Sequence, residues 1–153
     1  MLEIARTNSE NVDFRDLVRS LDQELSVRDG DEYAFYAQFN KIDLIHNAVV
    51  AYETSIPIGC GAFKPYKTGV VEVKRMFVTP EQRGKGIAVE ILKILENWAI
   101  ELNYVSAILE TGLKQPEAIR LYEKSGYERI PNYGQYAGIE NSVCMNKRLV
   151  NHL

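Results

Sequence analysis

The stretch from Val70 to Thr111 constrains the fold more than any other part of this chain. It opens with an apolar, β-branched run at Val70–Val78, passes through a polar loop at residues 79–86, and enters a strongly helical pattern over residues 86–103. In that pattern Ala88, Ile91, Leu92, Leu95, Ala99 and Leu102 form one apolar stripe, while Lys85, Glu90, Lys93, Asn97 and Glu101 fall away from it. A near-continuous apolar run at residues 105–111 follows, as expected of a central strand buried on both faces. A strand–helix–strand unit is therefore expected in the middle of the chain.

The flanking segments fill in a mixed architecture. Leu2–Thr7 reads as a short strand. Polar, cap-rich residues 8–11 precede a helix marked by Phe14, Leu17, Val18, Leu21 and Leu25, which Asp29-Gly30-Asp31 should stop. Residues 32–40 form a shorter segment rich in aromatics (Tyr33, Phe35, Tyr36, Phe39). Residues 48–53 and 56–63 read as strands, the second with Gly59 and Gly61, which suggest a bulge or a close backbone approach. In Val70–Val78 the alternation puts Val71, Val73 and Phe77 on one face and Glu72, Lys74, Met76 and Val78 on the other. A short helix is expected over residues 116–125, with proline early and Gly126 past its end. Residues 127–130 and 142–147 read as a last hairpin, joined by a long connection carrying Tyr133, Gly134, Tyr136 and Gly138. The order is β, α, α, β, β, β, α, β, α, β, β, an α/β chain with a mostly antiparallel start. At 153 residues it is expected to make one domain, 1–153.

Charge and rare residues exclude several chemistries. With 18 basic and 21 acidic side chains the formal net charge is −3, which speaks against a large basic footprint for nucleic acid or an anionic membrane. His46 and His152 are the only histidines, and neither stands at ligand spacing from Cys60 or Cys144, so no metal site is expected. No serine–histidine motif supports a hydrolase triad. The first residues lack an apolar signal core and no stretch approaches a membrane span, so a cytoplasmic protein is the expectation.

The segment Arg83-Gly84-Lys85-Gly86-Ile87-Ala88 carries the chemistry. It sits between a strand and the start of a strong helix, where free N–H groups and a partial positive charge bind anions. Glycines let backbone amides approach a phosphate, and Arg83 and Lys85 add positive charge. A pyrophosphate is a good match. The GxxxxGK[ST] loop is absent, and the third glycine position of a dinucleotide fingerprint falls on Val89. A glycine-rich turn before an amphipathic helix is the plain alternative.

One strand later comes Gln115-Pro116-Glu117-Ala118-Ile119-Arg120-Leu121-Tyr122-Glu123-Lys124-Ser125-Gly126-Tyr127. With both segments in view, the sequence resembles the GNAT superfamily of N-acetyltransferases. Arg83-x-x-Gly86-x-Ala88 matches the family's R/Q-x-x-G-x-G/A loop, which cradles the coenzyme A pyrophosphate. Gln115–Tyr127 matches N-x-x-A-I-x-L-Y-x-K-x-G-F/Y, with glutamine in place of the usual asparagine. The resemblance implies the acyl-CoA N-acyltransferase fold, mostly antiparallel with one parallel, splayed strand pair, the strand ending at Val78 beside the strand at 105–111. It implies acetyl-CoA as cosubstrate, with no metal. The coenzyme would contact Met76, Phe77 and Val78 through the main chain, the loop Arg83, Gly84, Lys85, Gly86, Ile87 and Ala88, and Gln115, Ala118 and Tyr122. Residues 32–40 and 131–141 would wall an amine-acceptor pocket, with a homodimer as the implied assembly.

Acetyl transfer from a thioester to an amine needs a base, a stabilised oxyanion and a proton for the departing thiolate. Tyr122 stands at the family's catalytic tyrosine position and shares a helix face with Ala118. Glu110, near the end of a central strand, and Glu72, on the other splayed strand, are the candidate bases, with a water relay as the third option. A carboxylate in an apolar strand invites the raised pKa that suits a base. Either glutamate could equally be a solvated or salt-bridged strand residue, the expected state of Glu72. The oxyanion donor is expected to be a backbone N–H near Phe77 or Val78. A coenzyme-binding sensor without turnover is the rival reading, against which Tyr122 and Glu110 both stand.

Overall fold

The structure is a computed structural model that describes residues 1–29 and 44–149. The aromatic stretch at residues 32–40 and His152 lie outside the described residues. Among the described residues the chain runs β1 (Leu2–Thr7), α1 (Val12–Asp29), β2 (Asn47–Glu53), β3 (Ile56–Lys67), β4 (Val70–Val78), α2 (Ile87–Glu101), β5 (Ser106–Gly112), α3 (Pro116–Lys124), β6 (Glu128–Ile130) and β7 (Ser142–Arg148), with 3₁₀ turns at Pro80–Gln82 and Gly134–Tyr136. The strand order is β1-β2-β3-β4-β5-β7-β6, a mixed sheet in which β4 and β5 are parallel. The expected α/β class and parallel pair are found.

The chain divides into two compact units. The first comprises the described parts of Met1–Lys64 and Lys74–Leu95; the second comprises Pro65–Val73 and the described part of Glu96–Leu153. β3, β4 and α2 each run from one unit into the other.

In the first unit β1, β2 and β3 form an antiparallel meander, with a register shift between Ala51 and Tyr52. Asn11 caps α1, its Oδ1 accepting from the Phe14 N–H at 2.9 Å. The apolar side of α1 (Phe14, Leu17, Val18, Leu21) buries against Val50, Cys60, Ala62 and Phe77. On the other face, α2 seats on two glycines of β3. A Cβ at Gly61 would lie 2.6 Å from Met76 Sδ and 2.9 Å from both Ile91 Cγ2 and Leu95 Cδ1; at Gly59 it would lie 3.0 Å from Ile91 Cδ1. The glycines thus mark a close approach, by α2 side chains and Met76 and, at Gly59, by the Phe77 carbonyl 3.1 Å away.

The alternation expected in β4 breaks at Arg75. This residue adopts φ 62°, a left-handed conformation that costs a side chain about 1–2 kcal/mol. Its side chain is buried, with Nη1 3.6 Å from Asp22 Oδ1 on α1. The α2 stripe also stops short of its expected end. The helix finishes at Glu101, Asn103 turns left-handed at φ 70°, and Leu102 is 48% exposed.

In the second unit the parallel register of β4 and β5 runs from Val70↔Ser106 to Glu72↔Ile108. β7 lies antiparallel to β5 over its whole length, and β6 pairs with β7, as expected of the last hairpin.

Candidate active site

The phosphate-binding candidate belongs to the first unit. Gly84 and Gly86 both have φ 82°, where a side chain is strained, and a Cβ on either would meet no atom within 4 Å. The glycines therefore serve the backbone path and leave open space beside it. Ile87 is buried and anchors the first turn of α2, while the Glu90 N–H already bonds to the Gly86 carbonyl at 3.2 Å. The amides before it lie in the helix's opening turn, where N–H groups lack intrahelical acceptors.

Arg83 is held from three sides. Its Nε donates to the Val78 carbonyl at 2.9 Å, and Nη2 donates to both carboxylate oxygens of Glu24 at 2.9 and 3.1 Å. Its Cζ lies 5.5 Å from the centroid of the Phe77 ring. Lys85 Nζ donates to Gln82 Oε1 at 3.1 Å. Phe77 and Val78 are buried and Met76 is half-buried against the α2 side. The Arg75 carbonyl accepts from Cys60 Sγ at 3.3 Å, and burial pushes the Cys60 thiol up to about 12, the state of an inert core cysteine.

The titratable cluster belongs to the second unit and follows from strand register. Glu72 stands opposite Ile108, Ile108 and Glu110 share a face two residues apart, and Glu110 stands opposite Cys144. One face of the sheet therefore carries Glu72, Glu110 and Cys144. The 131–141 connection supplies two tyrosines to the same cluster. Tyr133 donates its phenolic O–H to Glu72 Oε2 at 2.7 Å and packs edge-on against Tyr136 (5.7 Å) and Tyr66 (5.2 Å). Of the two plain states expected of Glu72, solvated or salt-bridged, the solvated one is not found: the residue is only 4% exposed. Its bond from Tyr133 spans 61 positions, so no local pattern signals it.

Tyr122 is 7% exposed and, with Ile119, forms the buried face of α3. Ala118, its expected companion, is half-buried. Burial, reinforced by the Glu110 charge, pushes the Tyr122 phenol far above its ordinary value. Burial followed by Glu110 and Glu72 does the same to Tyr136. Gln115 caps the start of α3 without a side-chain cap bond and lies by Gly112, where an added Cβ would be 3.6 Å from its Nε2. The second unit thus brings Glu72, Glu110 and Tyr122 into one tyrosine-rich cluster. Tyr133 and Tyr136, read from sequence only as part of the connection expected to wall the acceptor pocket, belong to it; the tyrosine and glycine density of residues 131–141 is the signal that could have found them.

Comparisons with known proteins follow the same line. Residues 13–127 match the model of the acetyltransferase (GNAT) family. An IAA acetyltransferase of Azospirillum brasilense is 36% identical over 102 residues, 66% of this chain and 67% of that protein. The fold superposes on a protein described as an acyl-CoA N-acyltransferase from Klebsiella pneumoniae with a TM-score of 0.82 at 27% identity, over 98% of this chain and 99% of that one. It also superposes on the PaiA N-acetyltransferase of Thermoplasma acidophilum, solved with coenzyme A, with a TM-score of 0.71 at 18% identity, over 97% and 99% of the two chains.

Proposed function

This chain belongs to the GNAT acetyltransferase family and is an acetyl-CoA-dependent acyltransferase, and from that premise we propose that it moves the acetyl group to a primary amine by direct attack. The amine nitrogen attacks the thioester carbonyl carbon. Its surplus proton passes to Glu110, directly or through water. The C–S bond breaks, and the sulfur leaves with the proton of the Tyr122 O–H. Tyr122 then regains a proton, and Glu110 loses one, as products depart.

The observation that carries this reading is the relation of Glu110 and Tyr122. Glu110 shares a sheet face with Glu72 and Cys144, and its charge acts on the Tyr122 phenol, which burial first and that charge second raise above the ordinary value; a carboxylate and a phenol thus stand together as acceptor and donor. Glu72 is assigned a different part. Its Oε2 is engaged by the Tyr133 phenol, which suits it to holding the 131–141 connection rather than taking the amine proton. A backbone N–H of Phe77 or Val78 is the proposed oxyanion donor. Gly84, Gly86 and the first amides of α2 are proposed to take the coenzyme pyrophosphate, with Arg83 shaping the loop and Lys85 adding charge.

Calorimetry with acetyl-CoA, then thiol release across amines, amino acids, polyamines, aminoglycosides and peptides, tests the proposal. Tyr122→Phe should lower kcat by about 100-fold with coenzyme affinity nearly unchanged. Unchanged kcat removes Tyr122 from the chemistry. Tight coenzyme binding without turnover on any acceptor class would favour a sensor over an enzyme. Among the described residues no helix is long and apolar enough to cross a membrane.

A further inference from the structure

A second polar cluster of the same unit has no part in the scheme above. Glu96, toward the end of α2, is buried at 9% exposure, and each of its carboxylate oxygens has a donor. The Tyr127 phenol donates to Oε2 at 2.9 Å, and Lys147 Nζ on β7 donates to Oε1 at 2.8 Å. The Lys147 ammonium also lies 5.8 Å from the Tyr127 ring centroid. Its stem passes Gly126 so closely that a Cβ there would sit 3.4 Å from Lys147 Cε, at a φ of 97°. Carboxylate, ammonium and phenol thus close on one another, with Tyr127 touched by both ions.

The other side of Tyr127 grips Tyr122. The Tyr127 N–H donates to the Tyr122 carbonyl at 3.0 Å, closing the end of α3. The two rings meet edge-on, with centroids 5.8 Å apart and planes at 64°. A buried ion pair contributes little net stability compared with apolar residues of the same volume, whereas its geometry is specific. A phenylalanine at position 127 would offer the same ring edge to Tyr122 but could not be tied to Glu96.

We propose that Glu96, Lys147 and Tyr127 are positioning residues for Tyr122: the ion pair anchors the Tyr127 ring, and that ring fixes where the Tyr122 phenol points. The inference rests on Tyr122 being the acid of the proposed reaction.

The test uses the full chain, thiol release from acetyl-CoA with the best acceptor found, and thermal melts of each variant. Tyr127→Phe, which keeps the ring, should lower kcat about three- to tenfold with the KM for acetyl-CoA within about twofold of wild type. Lys147→Met should do the same, and Lys147→Arg should restore much of the loss. The decisive arm is the double variant: in a Tyr122→Phe background, Tyr127→Phe should cost no further kcat, because it acts only through the missing hydroxyl. A purely structural role would give the same loss in both backgrounds and overturn the proposal, as would an unchanged kcat in Tyr127→Phe. If Tyr122→Phe itself has full activity, the acid assignment fails instead, which is a distinct result. Ring-flip rates of Tyr122 by aromatic NMR provide a readout without turnover. They should rise in Tyr127→Phe and Lys147→Met, and unchanged rates in both would also overturn the proposal.

Discussion

The phosphate loop and the tyrosine–glutamate cluster are built on opposite principles. The loop of the first unit is made of backbone: two left-handed glycines, an open flank and the opening turn of a helix, with Arg83 tied down by Glu24. The cluster of the second unit is made of side chains brought from β4, β5, α3 and the 131–141 connection, each buried or half-buried among the others. A backbone site should tolerate changes in neighbouring side chains but not the loss of a glycine. A side-chain site should respond to single atoms, such as one phenolic hydroxyl.

The largest effect that could break this contrast is at Gly86. Gly86→Glu forces a side chain into φ 82° and places a negative charge where the pyrophosphate is proposed to lie. Calorimetry should show acetyl-CoA affinity weakened by more than about 100-fold, the order expected when strain of 1–2 kcal/mol is joined by charge repulsion. Retained affinity would mean that the loop is not the coenzyme's phosphate site.

The next effect separates the two carboxylates. Glu110→Gln should lower kcat by at least about tenfold at neutral pH, within the range for general-base catalysis. Glu72→Gln keeps an acceptor for the Tyr133 phenol and should act mainly on the acceptor's KM. If the two variants exchange these signatures in steady-state thiol release, the assignment of the base is reversed.

Packing under α2 gives a third, thermodynamic comparison. Gly61→Ala puts a methyl into space already held by Met76, Ile91 and Leu95, so urea unfolding should show a loss of about 1–3 kcal/mol. A loss well below this would show that α2 can ride away from β3.

Alkaline pH should act on both units, through the buried Cys60 thiol and the Tyr52 phenol in the first and mostly through tyrosines in the second. Burial raises the phenols of Tyr122, Tyr127, Tyr133 and Tyr136 above their ordinary value of 10.0 in the folded chain. Above that value the folded state holds more protons than the unfolded one, so what the phenols contribute is intact below about pH 10 and falls as pH rises further; the raised thiols of Cys60 and Cys144 begin the same decline above about pH 9. Each such group removes up to about 1.4 kcal/mol per pH unit. Denaturant melts between pH 8 and pH 11 should show the decline, and Tyr136→Phe should flatten it. The smallest effect is at Glu24: Glu24→Gln should weaken acetyl-CoA binding about two- to fivefold, as expected for a half-exposed ion pair that pre-shapes a loop.

How far each region could be read from sequence follows from the same contrast. The loop was legible because backbone geometry selects residue types: left-handed φ selects glycine, and a helix start leaves its mark in the stripe from Ala88 to Ala99. Leu2–Thr7 and Val70–Val78 have the boundaries expected of them as strands, and the last hairpin pairs as expected. Leu102 was misplaced because a periodic pattern does not show that Asn103 turns the chain left-handed. The bond from Tyr133 to Glu72 spans 61 positions, and the tie on Arg83 comes from Glu24, 59 positions earlier. The pairing of Glu96 with Lys147 spans 51 positions. Such contacts exist only after the sheet has set its register, so a local reading sees a charge where the fold has made a bond.

Arg75 places two demands on one codon. The chain path at φ 62° is the one glycine follows freely, yet the position holds a long cationic side chain, buried beside Asp22 and near the Cys60 thiol. Glycine would relieve the path and abandon the ion pair; lysine would keep a charge and lose the planar fork; leucine would fill the space and keep the strain. Each single step that improves one demand worsens the other. Drift at this position must therefore be matched by change at Asp22, and a survey of all single substitutions should find Arg75 far less replaceable than an ordinary buried strand residue.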